Sequence, residues 1–205
     1  MNTSAIILAG GRSKRLGRDK CLVKIGGEQS ILRVIERVGQ VASEVLVVTA
    51  ANHPMPVLEG QEKVRVMVDR FPDKGALGGL YTGLEASTSI YSLVVGCDMP
   101  FLNVGLLRHL VESCMSSDVL IPRFDGYCEP LHAVYSKSCL PAIEKMLGMG
   151  NLKILSFFPY VEVKYLEEAE IDSFDPRRQS FFNINTEEDV RRADAIDAES
   201  GDPGE

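Results

Sequence analysis

Residues 5–20 read AIILAGGRSKRLGRDK: a short apolar run, a glycine pair, and then five cationic side chains, Arg12, Lys14, Arg15, Arg18 and Lys20. Gly10 and Gly11 have no Cβ, so the backbone there can bring its N–H groups close to phosphate oxygens. The cations can neutralise the remaining charge of a nucleoside triphosphate. The segment fits neither the G-x-x-x-x-G-K-[ST] pattern nor G-x-G-x-x-G, and reads as a different phosphate loop. The competing reading is a surface turn with solvated cations.

Three further groups bear chemistry. Asp98, in Gly96-Cys97-Asp98-Met99-Pro100, is a carboxylate at the end of an apolar run. It is expensive to desolvate unless paired, and Mg2+ shared with nucleotide phosphates would satisfy it, as would a helix cap or a Lys or Arg partner. Asp69 can hydrogen-bond a base or ribose, or merely open a loop. Asn183 and Asn185 are two apart, so in an extended segment both amides face one way, towards a ligand or as turn and cap formers. The glycines of Gly75-Ala76-Leu77-Gly78-Gly79 suit either approach to a purine edge or close helix packing.

Apolar strand-like runs alternate with helical patterns: 5–9 then helix 30–41, strand 45–49, strand 64–68 then helix 77–86, and strand 92–97 then helix 104–115. That order predicts an α/β fold with a mostly parallel sheet covered by helices. Residues 118–122 and 128–135 flank the turn-like Phe124-Asp125-Gly126 as a hairpin. A helix near 138–147, a strand at 161–166 and a last helix from Thr186 follow, with Thr186 as N-cap and Glu187, Glu188 and Asp189 in its first turn. In such a sheet, ligands collect beyond the carboxyl ends of the strands, where the phosphate loop, Asp69, Asp98 and the Asn183–Asn185 segment all fall.

The chain has 205 residues, 45% of them hydrophobic and 25% charged, enough for one full core. The expected organisation is a single domain over 1–197 and a disordered acidic tail over 198–205. A net charge of −7 argues against nucleic acid as a partner. No run is long enough to span a membrane and no signal peptide is evident, so a cytoplasmic enzyme is expected. The five cysteines lack any C-x-x-C pair and read as packing residues or free thiols. His53, His109 and His132 are isolated and read as structural.

Taken together, LAGG-R-S-x-R-L-G-x-D-K (8–20), V-x-V-x-V-D (64–69), GCDMPF (96–101) and NINTEED (183–189) resemble the molybdenum cofactor guanylyltransferases, a branch of the nucleotidyltransferase superfamily. The resemblance implies a three-layer Rossmann-like α/β fold with a mostly parallel, mixed central sheet. It also implies a requirement for GTP and Mg2+, and transfer of GMP to the terminal phosphate of molybdenum-loaded molybdopterin with release of pyrophosphate. Position by position, Leu8, Ala9 and Gly10 would contact GTP through the backbone, with Gly11 beside them. Lys20 and Asp69 would bind it by side chains, Asp98 would hold Mg2+, and Asn183 and Asn185 would lie by the acceptor. Lys20 would offset charge near the α-phosphate and Arg15 would stabilise departing pyrophosphate, so Arg15, Lys20 and Asp98 form the expected catalytic set. Expected partners are the two substrates and, transiently, molybdoenzymes or their chaperones.

Two positions depart from the pattern: Glu187 stands where many relatives have proline, and Thr49 where some have asparagine. The alternatives are a CTP-dependent enzyme acting on the same pterin, a nucleotidyltransferase for another phosphorylated acceptor, and a non-catalytic GTP-binding module. Ala9-Gly10-Gly11 favours GTP over CTP, since cytidine relatives tend to carry Ala-Ala-Gly.

Overall fold

The computed structural model describes residues 2–10, 16–51, 53, 55, 58 and 63–201. Strand β1 (Ser4–Leu8) lies at the centre of the main sheet, with β4 (Glu44–Thr49) on one side and β6 (Tyr91–Gly96) on the other, both parallel to it. Beyond β4 comes β5 (Val64–Val68), and beyond β6 come β9 (His132–Ser136), β7 (Val119–Phe124) and β10 (Val163–Glu167). Of these seven strands only β9 is reversed, pairing antiparallel with β6 and β7. The eighth, β8 (Tyr127–Cys128), closes a hairpin on β7 through Asp125 and Gly126, both at positive φ.

Helices cover both faces, which is why the inner strands are apolar without alternation. Ala5, Ile7 and Ala9 point to a cluster formed with Ile31, Val34 and Val38 of α1 (Ser30–Gly39) and Leu106, Leu107 and Leu110 of α3 (Val104–Ser113). Ile6, Leu46 and Val94 face the opposite cluster, with Leu77, Leu80 and Leu84 of α2 (Gly75–Ala86) and Ile143 and Met146 of α4 (Leu140–Gly148). A Cβ at Gly83 would come within 2.5 Å of Ile6 Cγ2, so the glycine lets α2 lie close on β1.

The expected elements are present, with ends displaced by one or two residues. The run 128–135 divides into β8 and β9, because Glu129, Pro130 and Leu131 turn between them. Helix α5 (Glu168–Phe174) and the small hairpin of β2 (Lys24–Ile25) and β3 (Glu28–Gln29) go beyond the sequence reading. The last helix, α6 (Glu187–Gly201), corrects the expected disorder after 197: residues 199–201 continue the helix, and 202–205 lie outside the described residues. Asp194 accepts from Gly26 N–H (3.2 Å) and Asp197 pairs with Arg33 (2.5 Å), which fixes α6 against the β2–β3 hairpin. Among the described residues no helix is long and apolar enough to cross a membrane. All five cysteines are free.

Candidate active site

The site forms where β1, β4 and β6 end. Ala9 N–H donates to Val48 O (2.8 Å) and Cys97 N–H to Leu8 O (3.2 Å), so the chain leaves β1 between two anchored neighbours. Gly11 and the expected catalytic Arg15 lie outside the described residues, as do Arg12 and Lys14. The chain returns with Leu16 buried among Val23, Ile184 and Val190. Asp19 then caps the turn Lys20–Leu22, its Oδ1 accepting from Cys21 N–H at 3.0 Å.

That turn aims Lys20 at two partners brought from distant parts of the chain. Its Nζ is 3.0 Å from Asp98 Oδ2 and 2.5 Å from Asn185 Oδ1. Asp98 is anchored by its backbone carbonyl, which accepts from Ile184 N–H at 3.0 Å. A Cβ at Gly96 would come within 2.6 Å of Asp98 Oδ1, so the glycine leaves the carboxylate its place. Asn185 is fixed by the start of α6. Asp189 Oδ2 accepts from the N–H groups of Asn185 (3.0 Å) and Thr186 (2.9 Å), and Thr186 Oγ1 accepts from Asp189 N–H (3.2 Å). This reciprocal cap bears out Thr186 as the start of the helix. Partial burial opposes ionisation of Asp189, but these N–H groups and the Thr186 hydroxyl prevail and hold its carboxyl below its ordinary value. Asn185 Nδ2 reaches back to Asn183 O (3.4 Å), whereas the Asn183 amide donates to Phe181 O (3.2 Å).

Beside this cluster lies an open cleft of about 1140 Å³, lined by Leu8, Gly10, Arg18, Asp19, Thr49 and Asp69, among others. Asp69 presents one carboxylate oxygen to the protein, where Oδ1 accepts from Phe71 N–H (2.9 Å) and lies 3.0 Å from the Thr82 hydroxyl. Among the α2 glycines, Gly75 and Gly79 line the cleft. Gly78 is a packing glycine, since a Cβ there would meet Phe71 Cβ at 2.9 Å. Ala9 lies beneath, fully buried, with its N–H and carbonyl engaged inside the protein.

The two departures from the family pattern both have partners here. Glu187 pairs with Arg18 at 2.9 Å, tying the start of α6 to the loop that leads to Lys20. Thr49 Oγ1 donates to His53 O at 2.9 Å. His53, which lines the cleft, was not legible as a site residue: it is isolated in the sequence and reaches the loop only through the fold. Elsewhere Arg123 is engaged by Glu167 and stacks over Tyr165 at 4.2 Å, and burial raises the Glu129 carboxyl above its ordinary value.

The MobA-like NTP transferase domain matches residues 5–161. A probable molybdenum cofactor guanylyltransferase of Pelotomaculum thermopropionicum is 35% identical over 193 residues, covering 94% of this chain and 92% of the relative. Another, of Methanosarcina mazei, is 38% identical over 196 residues, with 91% and 88% covered. The chain belongs to the molybdenum cofactor guanylyltransferase family. Its fold agrees with the crystal structure of molybdopterin-guanine dinucleotide biosynthesis protein A from Archaeoglobus fulgidus, at a TM-score of 0.84 and 29% identity over 96% of this chain and 100% of that one. A 4-diphosphocytidyl-2C-methyl-D-erythritol synthase from Anaerococcus prevotii, 18% identical with a TM-score of 0.71, shares the fold.

For a molybdenum cofactor guanylyltransferase, a nucleotidyltransferase, a divalent metal is the expected cofactor. Among the described residues no three His, Cys, Asp or Glu side chains converge, so these residues supply no closed cage. The partly exposed Asp98 carboxylate fits a cation that draws its other oxygens from substrate and water.

Proposed function

We propose that the chain transfers GMP from GTP to the terminal phosphate of molybdenum-loaded molybdopterin and releases pyrophosphate, with Lys20 at the point where donor and acceptor meet. The observation that carries this reading is the position of Lys20 Nζ, within hydrogen-bonding distance of both Asp98 and Asn185. Lys20 thereby joins the end of β6 to the segment that precedes α6.

In this reading GTP occupies the cleft. Leu8 and Gly10 lie along it, Ala9 fixes the path of the backbone between them, and Gly11 and Arg15 follow in the phosphate loop. Asp69 has one carboxylate oxygen left over from its bonds to Phe71 and Thr82 for the nucleotide. Asn183 and Asn185 lie on the acceptor side. Asp98 would hold the divalent metal, Mg2+ in this proposal, which when bound supplies positive charge to the phosphate oxygens.

The acceptor phosphate is already an anion at neutral pH, so in-line attack at the α-phosphorus needs little from a general base. What the chain's residues must do is hold charge in place. The Lys20 ammonium balances the charge gathering at the α-phosphate, and Arg15 takes up that of the departing pyrophosphate. Asn185, bonded to Lys20, keeps the ammonium beside the acceptor. The favoured compartment is the cytoplasm, in keeping with five free cysteines. Delivery of the product would bring transient contact with molybdoenzymes or their chaperones.

The test is pyrophosphate release by the purified protein with Mg2+ and molybdenum-loaded molybdopterin, comparing GTP, CTP and ATP. Release with GTP alone is expected. Release with CTP alone would move the chain to cytidylyl transfer, and no release from a protein that binds GTP would point to another phosphorylated acceptor or to a binding module.

A further inference from the structure

We infer that His53 is a positioning residue that staples the two ends of the phosphate loop together and, through Asp19, holds the turn bearing Lys20. The catalytic half of this inference rests on the guanylyl-transfer reading; the staple itself does not.

Every polar group of His53 is engaged. Its N–H donates to Ala50 O (2.9 Å) and its carbonyl accepts from Thr49 Oγ1 (2.9 Å), which seats the residue just beyond β4. Its Nδ1 is 3.1 Å from Ala9 O, and its Nε2 contacts Asp19 Oδ2. A carbonyl and a carboxylate both accept, so each ring nitrogen faces an acceptor. Ala9 is the residue at which the chain enters the loop, and Asp19 the residue at which it leaves. The imidazole therefore bridges the residues at which the loop begins and ends, and closes the intervening chain into a ring whose ends are held together.

The second Asp19 oxygen extends the bridge. Oδ1 accepts from Cys21 N–H at 3.0 Å, so one carboxylate is held by His53 on one side and caps the turn Lys20–Leu22 on the other. Lys20 then meets Asp98 and Asn185. The His53 and Asp19 side chains are only 25% and 20% exposed, so water competes weakly for either partner. Thr49, the last residue of β4 and part of the cleft wall, uses its hydroxyl to orient His53. The path from His53 to Lys20 thus consists of two hydrogen bonds, His53 to Asp19 and Asp19 to Cys21, and the backbone of the turn that carries Lys20.

The two ring contacts of His53 can be removed separately. In an Asn side chain the amide nitrogen overlays Nδ1 of histidine, and in a Gln side chain it overlays Nε2. His53→Asn should keep the bond to Ala9 and lose Asp19, whereas His53→Gln should keep Asp19 and lose Ala9. Hydrogen exchange on the unliganded protein would be read over peptides covering residues 8–22, alongside steady-state pyrophosphate release with GTP and molybdenum-loaded molybdopterin. His53→Asn is expected to accelerate exchange at Cys21 and lower kcat roughly tenfold to a hundredfold with KM for GTP changed less. His53→Gln should stay within a few-fold of wild type in kcat and in exchange at Cys21, but should accelerate exchange at the entry end, residues 8–10, where the bond to Ala9 is lost. Equal behaviour of the two variants, or accelerated exchange at Cys21 with kcat unaltered, would overturn the positioning role. If the wild type itself released no pyrophosphate, the guanylyl-transfer reading would fail, and the exchange data alone would decide the staple. An Asp19→Ala variant, expected to reproduce the Asn phenotype, keeps the test decisive should a His53 variant fold poorly.

Discussion

Lys20 and Asp98, 78 positions apart in the chain, form an ion pair of 3.0 Å at the mouth of the sheet. The side chains are 21% and 17% exposed, so the pair is neither a solvated surface contact nor a dry core bridge. A partly desolvated cation and anion with phosphates expected beside them amount to charge placed before the reaction starts. Replacing Lys20 by Ala should lower the rate of pyrophosphate release by roughly a hundredfold or more. Asp98→Ala should abolish metal-dependent turnover, with thermal melts close to wild type for both. Turnover by Lys20→Ala within a few-fold of wild type would remove Lys20 from its assigned role.

Asn185 is separable from both. It touches Lys20 through Oδ1 and Asn183 through Nδ2, and its backbone belongs to the cap of α6. Asn185→Ala leaves that cap intact, because Asp189 bonds the backbone N–H rather than the amide. The variant is expected to raise KM for the molybdopterin acceptor severalfold while raising KM for GTP less. Steady-state kinetics with each substrate varied in turn would check this, and a larger effect on GTP would place Asn185 on the nucleotide side instead.

His132 makes stability depend on pH. It is fully buried at the start of β9 against the Phe181 ring, at 4.7 Å between centroids. Burial lowers its pKa from 6.5 to about 4, against the attraction of the Asp175 carboxylate. The unfolded chain therefore binds a proton below about pH 6.5 that the folded protein refuses until about pH 4. The stability at stake is fully present above pH 6.5 and is lost as the pH falls. Between pH 7 and 5 this one residue should remove about 2 kcal/mol. Urea melts across that range should show a shallower pH dependence for His132→Gln than for wild type, and parallel curves would contradict the assignment.

How much of this could be read in the sequence depended on how local each signal was. The strands were legible because a buried apolar run advertises itself within a few residues. Asp98 was legible because an unpaired carboxylate at the end of such a run demands a partner, though the partner, Lys20, was only one of several candidates. Asn185 stood out by its spacing from Asn183, and the family resemblance set both by the acceptor, but its place on Lys20 was not legible, since nothing within the local sequence points across 165 residues. His53 carried no signal, being a single histidine in an irregular segment with its partners on two other elements. The β2–β3 hairpin was missed although Gly26 and Gly27, both at positive φ, form its turn, because its strands are two residues each. The start of the tail, 198–201, departs from expectation for the opposite reason: its acidic composition reads as disorder, while α6 gains stability from contacts with Gly26 and Arg33 that composition does not reveal.

Two glycines one turn apart on α2 should give opposite phenotypes. A Cβ at Gly83 would lie 2.5 Å from Ile6 Cγ2 and 3.0 Å from its Cδ1, inside a core where Ile6 has no exposed surface. Overpacking of this kind costs about 1–3 kcal/mol, more than the roughly 1 kcal/mol that alanine gains over glycine within a helix. Gly83→Ala should therefore lower Tm by several degrees and leave the turnover of folded enzyme unchanged. At Gly79 the one tight contact of the added Cβ is with Leu8 Cδ2, at 3.2 Å, while Leu8 Cδ1 and Val48 Cγ1 lie at an ordinary 3.8 Å, and Leu8 is a wall of the cleft. A small displacement of that side chain relieves the contact but narrows the space for the nucleotide. Gly79→Ala should raise KM for GTP with little change in Tm. Calorimetric melts and GTP kinetics on the two variants separate these outcomes: a loss of GTP affinity in Gly83→Ala matching that in Gly79→Ala would mean that α2 shifts as a rigid body and that Leu8 does not set the width of the cleft.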